Sequence, residues 1–158
     1  MRDEDRFALE LVAQILAGQG GRLFLELRDR QSLAYSVSAV NVEGVAPGFF
    51  AVYMGTAPEK VEQAREGILL ELRKLVESPP ADEELRRAQN FLTGNFAIAQ
   101  QRSAVRAGQI ALDALYGLGA DASARYVERV LSVEKDDVLR VARRVLDLEA
   151  YTLAMVRP

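Results

Sequence analysis

Apolar residues recur at helical spacing near the start of the chain, and this pattern predicts a first helix that ends at Gly18 and the Gly20-Gly21 pair. The apolar members of this helix share one face: Phe7, Leu11, Val12, Ile15 and Leu16. A short second helix follows the glycines, with apolar positions at Leu23, Phe24 and Leu27. The amino-terminal fifth of the chain is therefore predicted to be helical.

The pattern changes from helical spacing to alternation at Leu33. Apolar and polar residues alternate from Tyr35 to Val42, and Phe49 to Met54 has the aromatic and β-branched composition of a partner strand. The segment between them, residues 43–48, contains two glycines and a proline. We therefore predict an antiparallel hairpin.

The next segment predicts the most strongly amphipathic helix of the chain. Thr56 followed by Glu59 matches a capping box that would begin this helix. Its apolar positions share one face: Val61, Ala64, Ile68, Leu72, Leu75 and Val76. Ser78-Pro79-Pro80 ends the helix, and the acids at 82–84 suit the first turn of another, with an interruption near Gly94.

The remaining third of the chain predicts three further helices and a strand. Helices are expected over Ser103 to Tyr116 and Ser123 to Leu131, and Ser132 is expected to cap the last helix, which carries an apolar face. A final strand is predicted from Tyr151 to Val156. The whole pattern predicts a single α+β domain over residues 1–158, because no repeat or long linker divides it.

Composition narrows the classes of function. The chain has 158 residues, 49% of them hydrophobic, which is sufficient for one packed core. A net charge of −3 with mixed signs argues against a nucleic-acid partner. No apolar run approaches the roughly 20 residues that span a bilayer, and the first ten residues are too charged for a signal peptide. We expect a soluble protein, in either the cytoplasm or the periplasm.

The sequence contains few residues that could act in catalysis. There is no histidine and no cysteine, so the common zinc ligands are absent and serines lack a histidine partner. The acids at 82–84 fit the helix dipole better than a metal site, and Gly18 to Gly21 lacks the Lys-Ser/Thr of a phosphate loop. We predict no metal, no cofactor and no catalytic residue in this segment.

Residues 20–37, read as GGRLFLELRDRQSLAYSV, place Arg28 seven residues before Tyr35. By residue type alone, Arg28 would be a surface charge and Tyr35 a half-buried strand residue. The segment nevertheless resembles the signature of the C-terminal domain in the pitrilysin or insulinase-like zinc metallopeptidases, which are related to the mitochondrial processing peptidase. The resemblance extends over nearly the whole chain, in segments that occur in the order expected for the family: Asp5 to Leu9, Gly21 to Arg28, Leu33 to Val37, Asp82 to Leu85 and a closing strand ending in Pro158.

The resemblance implies a half-clamshell domain, in which an antiparallel-rich sheet is packed on one side by several helices. Family domains usually open with one or two strands before the first helix, so we expect this chain to be a fragment of a longer protein that lacks them. The family segment often reads Arg-x-x-x-Gly-Leu-Ala-Tyr, and Ser32 stands where its glycine would be. Arg30 is a second candidate arginine, but only Arg28 has the matching spacing to Tyr35.

The resemblance further implies that Arg28 and Tyr35 bind substrate, while zinc and its His-x-x-Glu-His motif belong to a companion domain or subunit. The expected function is to clamp an extended peptide or unfolded protein against that companion, so this segment alone should be inactive. The isolated domain should also self-associate through apolar surface that the companion would cover. Two alternatives stay open: a non-catalytic assembly subunit, like the core subunits of cytochrome bc complexes, and a protein-interaction domain of the same fold.

Overall fold

A computed structural model describes residues 3–44 and 48–156 of the chain. Within these ranges, two strands and six α-helices are joined by shorter helical turns. The strands are β1 (Ser36–Val42) and β2 (Phe49–Gly55). The α-helices are α1 (Arg6–Ala17), α2 (Val61–Glu77), α3 (Asp82–Ala99), α4 (Ser103–Leu115), α5 (Tyr126–Leu131) and α6 (Lys135–Val145). A π-helix spans Phe24–Arg30, and 3-10 turns span Pro58–Lys60 and Ala122–Arg125.

Helix α1 lies at the centre of the molecule, in contact with β1, α3, α5 and α6. Its predicted apolar face forms the middle of the core, where Leu11, Val12, Ile15 and Leu16 are almost completely buried. The other helices add further buried side chains around it: Leu23, Leu27, Leu72, Leu75, Leu85, Ala88, Val130, Val138 and Ala142. Burial of this apolar surface is the main force that holds the helices together.

Strands β1 and β2 form the predicted antiparallel hairpin, with a register that runs from Ser36 opposite Gly55 to Val42 opposite Phe49. Alternate side chains point to opposite faces of a strand. One face packs on the helical core through Val37, Ala39, Phe50, Val52 and Met54. The α+β class, with an antiparallel sheet covered on one side by helices, is therefore confirmed. The central residues of the predicted turn, 45–47, lie outside the described residues.

The predicted caps of two helices are wrong. Helix α2 follows a 3-10 turn that begins at Pro58, and the hydroxyl of Thr56 donates to the carbonyl of Leu33 at 2.7 Å instead of capping this turn. Proline suits the first helical position because its missing N–H would have no partner there. Ser132 ends α5, and Glu134 begins α6 in a reciprocal pair with Asp137.

Other boundaries also differ from prediction. Helix α3 continues through Gly94, since the packing of its flanking residues outweighs the cost of one glycine. The helix predicted from Ser123 starts as a 3-10 turn. Residues 151–156 form no regular secondary structure and pair with no strand in the described chain, so the predicted final strand is wrong. A strand needs a partner edge, and here Tyr151 instead accepts a hydrogen bond from Arg65 of α2.

Candidate functional site

The short second helix predicted from the sequence is a π-helix, and Phe24 and Arg28 contact each other on it. The guanidinium carbon of Arg28 lies 4.5 Å from the centre of the Phe24 ring, within the range of a cation–π contact. Leu27 anchors the same helix in the core with no exposed surface. Helix α2 approaches Leu27 closely at Gly67, where a Cβ atom would lie 2.6 Å from Leu27 Cδ2.

Tyr35 stands immediately before β1 rather than within it, which corrects the predicted start of the strand. Its side chain is 88% exposed, so the half-buried strand environment expected from residue type alone is also wrong. The ring centre lies 5.7 Å from the guanidinium carbon of Arg28. Among the described residues, no hydrogen bond is formed by the Tyr35 hydroxyl. The structure thus brings the two predicted site residues together and leaves a donor available at their edge.

The loop between the π-helix and Tyr35 has an uncommon backbone conformation. Ser32 has a φ of 51°, in the left-handed region where glycine is favoured. The Ser32 carbonyl accepts a hydrogen bond from Lys60 Nζ at 3.2 Å, and the adjacent Leu33 carbonyl accepts the Thr56 hydroxyl. Segment 56–60 therefore holds the loop in place through side chains.

These residues line an open cleft of about 790 Å³. The cations Arg28 and Lys60 and the carboxylate of Asp29 are on its wall, together with Tyr35 and Thr56. Such a wall offers mainly hydrogen-bond donors, which suit carbonyl or carboxylate groups of a ligand. Arg30, the second candidate arginine, forms a 2.8 Å ion pair with Glu26.

Phe24, Thr56 and Lys60 are part of this site and were missed in the sequence. The Phe24 to Arg28 spacing of four residues is a recognisable signal, because aromatic and cationic side chains at that spacing meet on a helix. Thr56 gave a misleading signal, since Thr-x-x-Glu before an apolar face is also a capping pattern. Lys60 gave none.

Two of the three acids at 82–84, in the first turn of α3, are paired with cations. Glu84 accepts two hydrogen bonds from Arg22, at 2.8 and 2.9 Å, and these hydrogen bonds hold the pKa of Glu84 below its usual range. Asp82 pairs with Lys135 at 2.6 Å, which likewise lowers the pKa of Asp82. The described residues contain no group of three or more histidine, cysteine or acidic side chains arranged to hold a metal ion.

A second cavity, of about 410 Å³, lies between α1, β1 and α3. Glu10 is on its wall and accepts the Tyr126 hydroxyl at 2.6 Å. Burial raises the pKa of Glu10, although the hydrogen bond from Tyr126 acts in the opposite direction. The Tyr126 ring is stacked on Phe96 at 4.5 Å and meets Phe7 edge-on at 5.8 Å. This carboxyl group belongs to a packed aromatic cluster of the fold.

Across residues 3–44 and 48–156, none of the helices combines the length and the apolar character required to cross a membrane.

The fold is similar to a crystal structure of a peptidase M16 inactive domain from Pseudomonas fluorescens. The match has a TM-score of 0.84 at 24% identity and covers 93% of this chain and 35% of that one. At this identity, the similarity establishes the fold alone.

Two curated relatives match most of the chain in sequence. An uncharacterized zinc protease of Rickettsia bellii is 27% identical over 157 residues, and one of Streptomyces coelicolor is 31% identical over 145 residues. The alignments cover 98% and 91% of this chain but only 37% and 32% of the relatives. The chain thus spans about a third of the length of these zinc proteases.

A family model described as the peptidase M16 inactive domain matches residues 1–92, which is more than half of the chain and includes both Arg28 and Tyr35. This match agrees with the fold comparison and with the zinc-protease relatives. The chain therefore belongs to the family of peptidase M16 inactive domains.

Proposed function

We propose that this chain is the substrate-binding, non-zinc half of a zinc-dependent metalloendopeptidase, which clamps an extended peptide against a separate catalytic domain. The observation that carries the proposal is the pairing of Arg28 with Tyr35 at the edge of an open cleft, with the tyrosine hydroxyl unbonded among the described residues. Two adjacent donors at an open cleft are suited to a ligand that supplies acceptors.

Zinc belongs to the companion domain in this proposal, because the chain does not offer a suitable set of ligands. The sequence contains no histidine or cysteine, and carboxylates alone are a poor zinc set. A companion that bears His-x-x-Glu-His would supply the metal and the general base. This chain would contribute by binding and orienting the peptide.

Main-chain carbonyls near the scissile bond are the acceptors that the pair would engage. The guanidinium of Arg28 presents a planar fork of N–H donors, while Tyr35 presents one O–H donor. The peptide would lie extended, added as a strand to a sheet edge of the companion. Donors aimed at the developing oxyanion would lower the barrier, whereas donors aimed elsewhere would only hold the substrate.

The face of the hairpin turned away from the helices is a candidate surface for the companion. It carries large apolar side chains that are 41–64% exposed: Val40, Val42, Phe49 and Tyr53. Val42 lies opposite Phe49 in the register, so these side chains form a continuous patch. Exposed patches of this kind mark interaction surfaces. We expect the isolated chain to self-associate in light scattering and to become monodisperse when the companion covers the patch.

The isolated chain should neither bind zinc tightly nor cleave peptides. Metal analysis and hydrolysis of labelled casein by the purified chain test this directly. Stoichiometric zinc, or hydrolysis that a chelator abolishes, would show that the catalytic role was assigned to the wrong half.

The paired donors are tested in the enzyme reconstituted from this chain and the companion, with labelled casein as substrate. Tyr35→Phe and Arg28→Lys should each reduce kcat/KM by an amount equivalent to ~1–3 kcal/mol, the range of a charged hydrogen bond or an oxyanion donor. A loss in kcat indicates stabilisation of the transition state, and a rise in KM alone indicates binding.

Matched controls are Arg30→Lys, two residues away on the π-helix, and Tyr151→Phe, on the surface near α2. Both controls should leave the kinetics unchanged. If the Arg28 and Tyr35 variants fold normally and keep full activity, peptide clamping by this pair is wrong.

A further inference from the structure

We infer that Thr56 is a positioning residue for Tyr35, because its hydroxyl fixes the loop that presents this tyrosine to the cleft. The inference rests on the proposed peptide-binding function and adds a residue that acts through Tyr35 rather than on the substrate. It is carried by the hydrogen bond from Thr56 Oγ1 to the Leu33 carbonyl at 2.7 Å.

Tyr35 needs its backbone to be held, since packing of its side chain cannot hold it. With 88% of the side chain exposed, the ring contacts little besides the guanidinium of Arg28, at 5.7 Å. Exposed aromatic side chains exchange between rotamers on a fast timescale. The direction in which the hydroxyl points therefore depends mainly on where residues 34 and 35 are placed.

Two consecutive residues, Gly55 and Thr56, hold the chain on either side of Tyr35. Gly55 is opposite Ser36 in the hairpin register, so it fixes the residue that follows the tyrosine. Thr56 bonds the carbonyl of Leu33, two residues before the tyrosine. Only Ala34 and Tyr35 lie between these two attachments, which leaves the chain little freedom there.

The loop also requires attachment because its backbone is strained at Ser32. A left-handed conformation is unfavourable for a residue other than glycine, and such conformations persist where surrounding contacts enforce them. Lys60 Nζ bonds the Ser32 carbonyl at 3.2 Å, and Leu33 is buried in the core. The Leu33 N–H also donates to the Leu27 carbonyl at 2.8 Å, and Thr56 and Lys60 add the side-chain contacts that hold the two carbonyls of the strained turn.

The position of Thr56 supports a role in the site. Ala57 is the N-cap of the 3-10 turn before α2, and this turn has no side-chain cap, so Thr56 lies one residue too early to cap it. The hydrogen bond that the Thr56 hydroxyl donates goes to the loop beside the cleft.

The test combines kinetics in the reconstituted enzyme with the spectrum of Tyr35. Thr56→Val removes the hydroxyl and keeps the shape, Thr56→Ser keeps the hydroxyl, and Lys60→Met removes the neighbouring attachment. Thr93→Val is the matched control, because Thr93 makes a similar 2.8 Å bond to the Gln89 carbonyl within α3. All variants are compared at a temperature at which circular dichroism shows them fully folded, with labelled casein as substrate.

Thr56→Val should lower kcat/KM about fivefold, the equivalent of one typical hydrogen bond, and Lys60→Met should lower it less. Thr56→Ser should restore activity, and Thr93→Val should retain it. Combined with Tyr35→Phe, Thr56→Val should cost almost nothing further, because its effect passes through the lost hydroxyl. In chain labelled with 3-fluorotyrosine, the ¹⁹F resonance of Tyr35 should shift or broaden in Thr56→Val but not in Thr93→Val.

Each failure has a distinct meaning. If Tyr35→Phe reduces activity but Thr56→Val does not, or if the two losses add fully, Thr56 is not a positioning residue and the proposed function stands. An unchanged Tyr35 resonance in Thr56→Val leads to the same conclusion. If Tyr35→Phe itself has no effect, both the proposed function and this inference are wrong.

Discussion

Tyr35 and Tyr126 occupy opposite environments in the same small domain. Tyr126 is partly buried, is stacked on Phe96, meets Phe7 edge-on and donates its hydroxyl to Glu10 at 2.6 Å. Tyr35 is 88% exposed, and its ring is near Arg28 alone among the aromatic and cation–π contacts of the described residues. The ring of Tyr126 packs against other rings, and its hydroxyl is hydrogen-bonded within the fold. Tyr35 is exposed, and its hydroxyl forms no hydrogen bond among the described residues.

The difference separates stability from binding. A tyrosine inside an aromatic cluster stabilises the folded state through its ring area and its satisfied hydroxyl. An exposed tyrosine contributes little to stability, and its hydroxyl can be offered to a ligand. Substitutions at the two positions should therefore affect different measurements.

The largest expected effect is on stability at Tyr126. Tyr126→Ala should lower the free energy of unfolding by about 2–3 kcal/mol, because it leaves Phe7 and Phe96 without their shared partner. Tyr35→Ala should change it by less than about 0.5 kcal/mol, as usual for an exposed side chain. Urea denaturation of the chain measures both, and similar losses at the two sites would contradict the comparison.

The next largest effect comes from removing only the hydroxyl group of each tyrosine. Tyr126→Phe should destabilise the fold by about 1–2 kcal/mol, since it leaves the carboxyl of Glu10 without the hydrogen bond from Tyr126. Tyr35→Phe should leave the unfolding midpoint unchanged while it reduces activity in the reconstituted enzyme. A stability loss for Tyr35→Phe as large as that for Tyr126→Phe would mean that the hydroxyl of Tyr35 also serves the fold.

Elements governed by local pattern were predictable from the sequence. The apolar face of α1 and the alternation of the hairpin depend on residue spacing alone, and both were confirmed. The proximity of Arg28 and Tyr35 could be predicted because their spacing matches the family signature. The environment of Tyr35 was not, because its position just before β1 follows from where the hairpin ladder begins.

Features that depend on competition between partners could not be predicted. The hydroxyl of Thr56 could accept a hydrogen bond as a helix cap or donate one to a loop carbonyl, and the fold, in which Ala57 precedes the 3-10 turn, uses it as a donor to Leu33. The apolar pattern of residues 151–156 indicates a strand, but pairing needs a neighbouring edge that the described chain does not place beside it. Leu27 of the π-helix likewise packs closely against Gly67 of α2, a contact between residues distant in sequence that a local pattern does not reveal.

A smaller effect should come from the strained loop beside Tyr35. Ser32→Gly should raise the free energy of unfolding by roughly 0.5–1 kcal/mol, because glycine adopts the left-handed conformation more easily, although greater freedom in the unfolded chain offsets part of the gain. Ser32→Val should be destabilising, since β-branched residues tolerate this conformation poorly. Thermal denaturation checks both, and a less stable Ser32→Gly variant would show that the strain argument is wrong.

The smallest expected effect concerns the pH dependence of the Glu10 and Tyr126 pair. Burial raises the pKa of Glu10 in the folded state, so the folded chain binds this proton more tightly than the unfolded chain does. The stability that this group contributes is fully present below its unfolded pKa and is lost as pH rises through the folded value. Glu43 raises and Arg6 lowers the pKa of the same carboxyl through their charges.

Glu10→Gln should remove this dependence and keep an acceptor for the Tyr126 hydroxyl, so the variant should gain stability relative to the natural chain between pH 4 and pH 8. Glu84→Gln is the control with the opposite sign. The hydrogen bonds from Arg22 lower the pKa of Glu84, and its contribution is therefore present at neutral pH and lost as pH falls through the folded value. Urea denaturation from about pH 3 to pH 8 measures both differences, since the Glu84 contribution is lost on the acidic side of its unfolded pKa. A Glu10→Gln curve parallel to that of the natural chain would show that Glu10 does not titrate differently on folding.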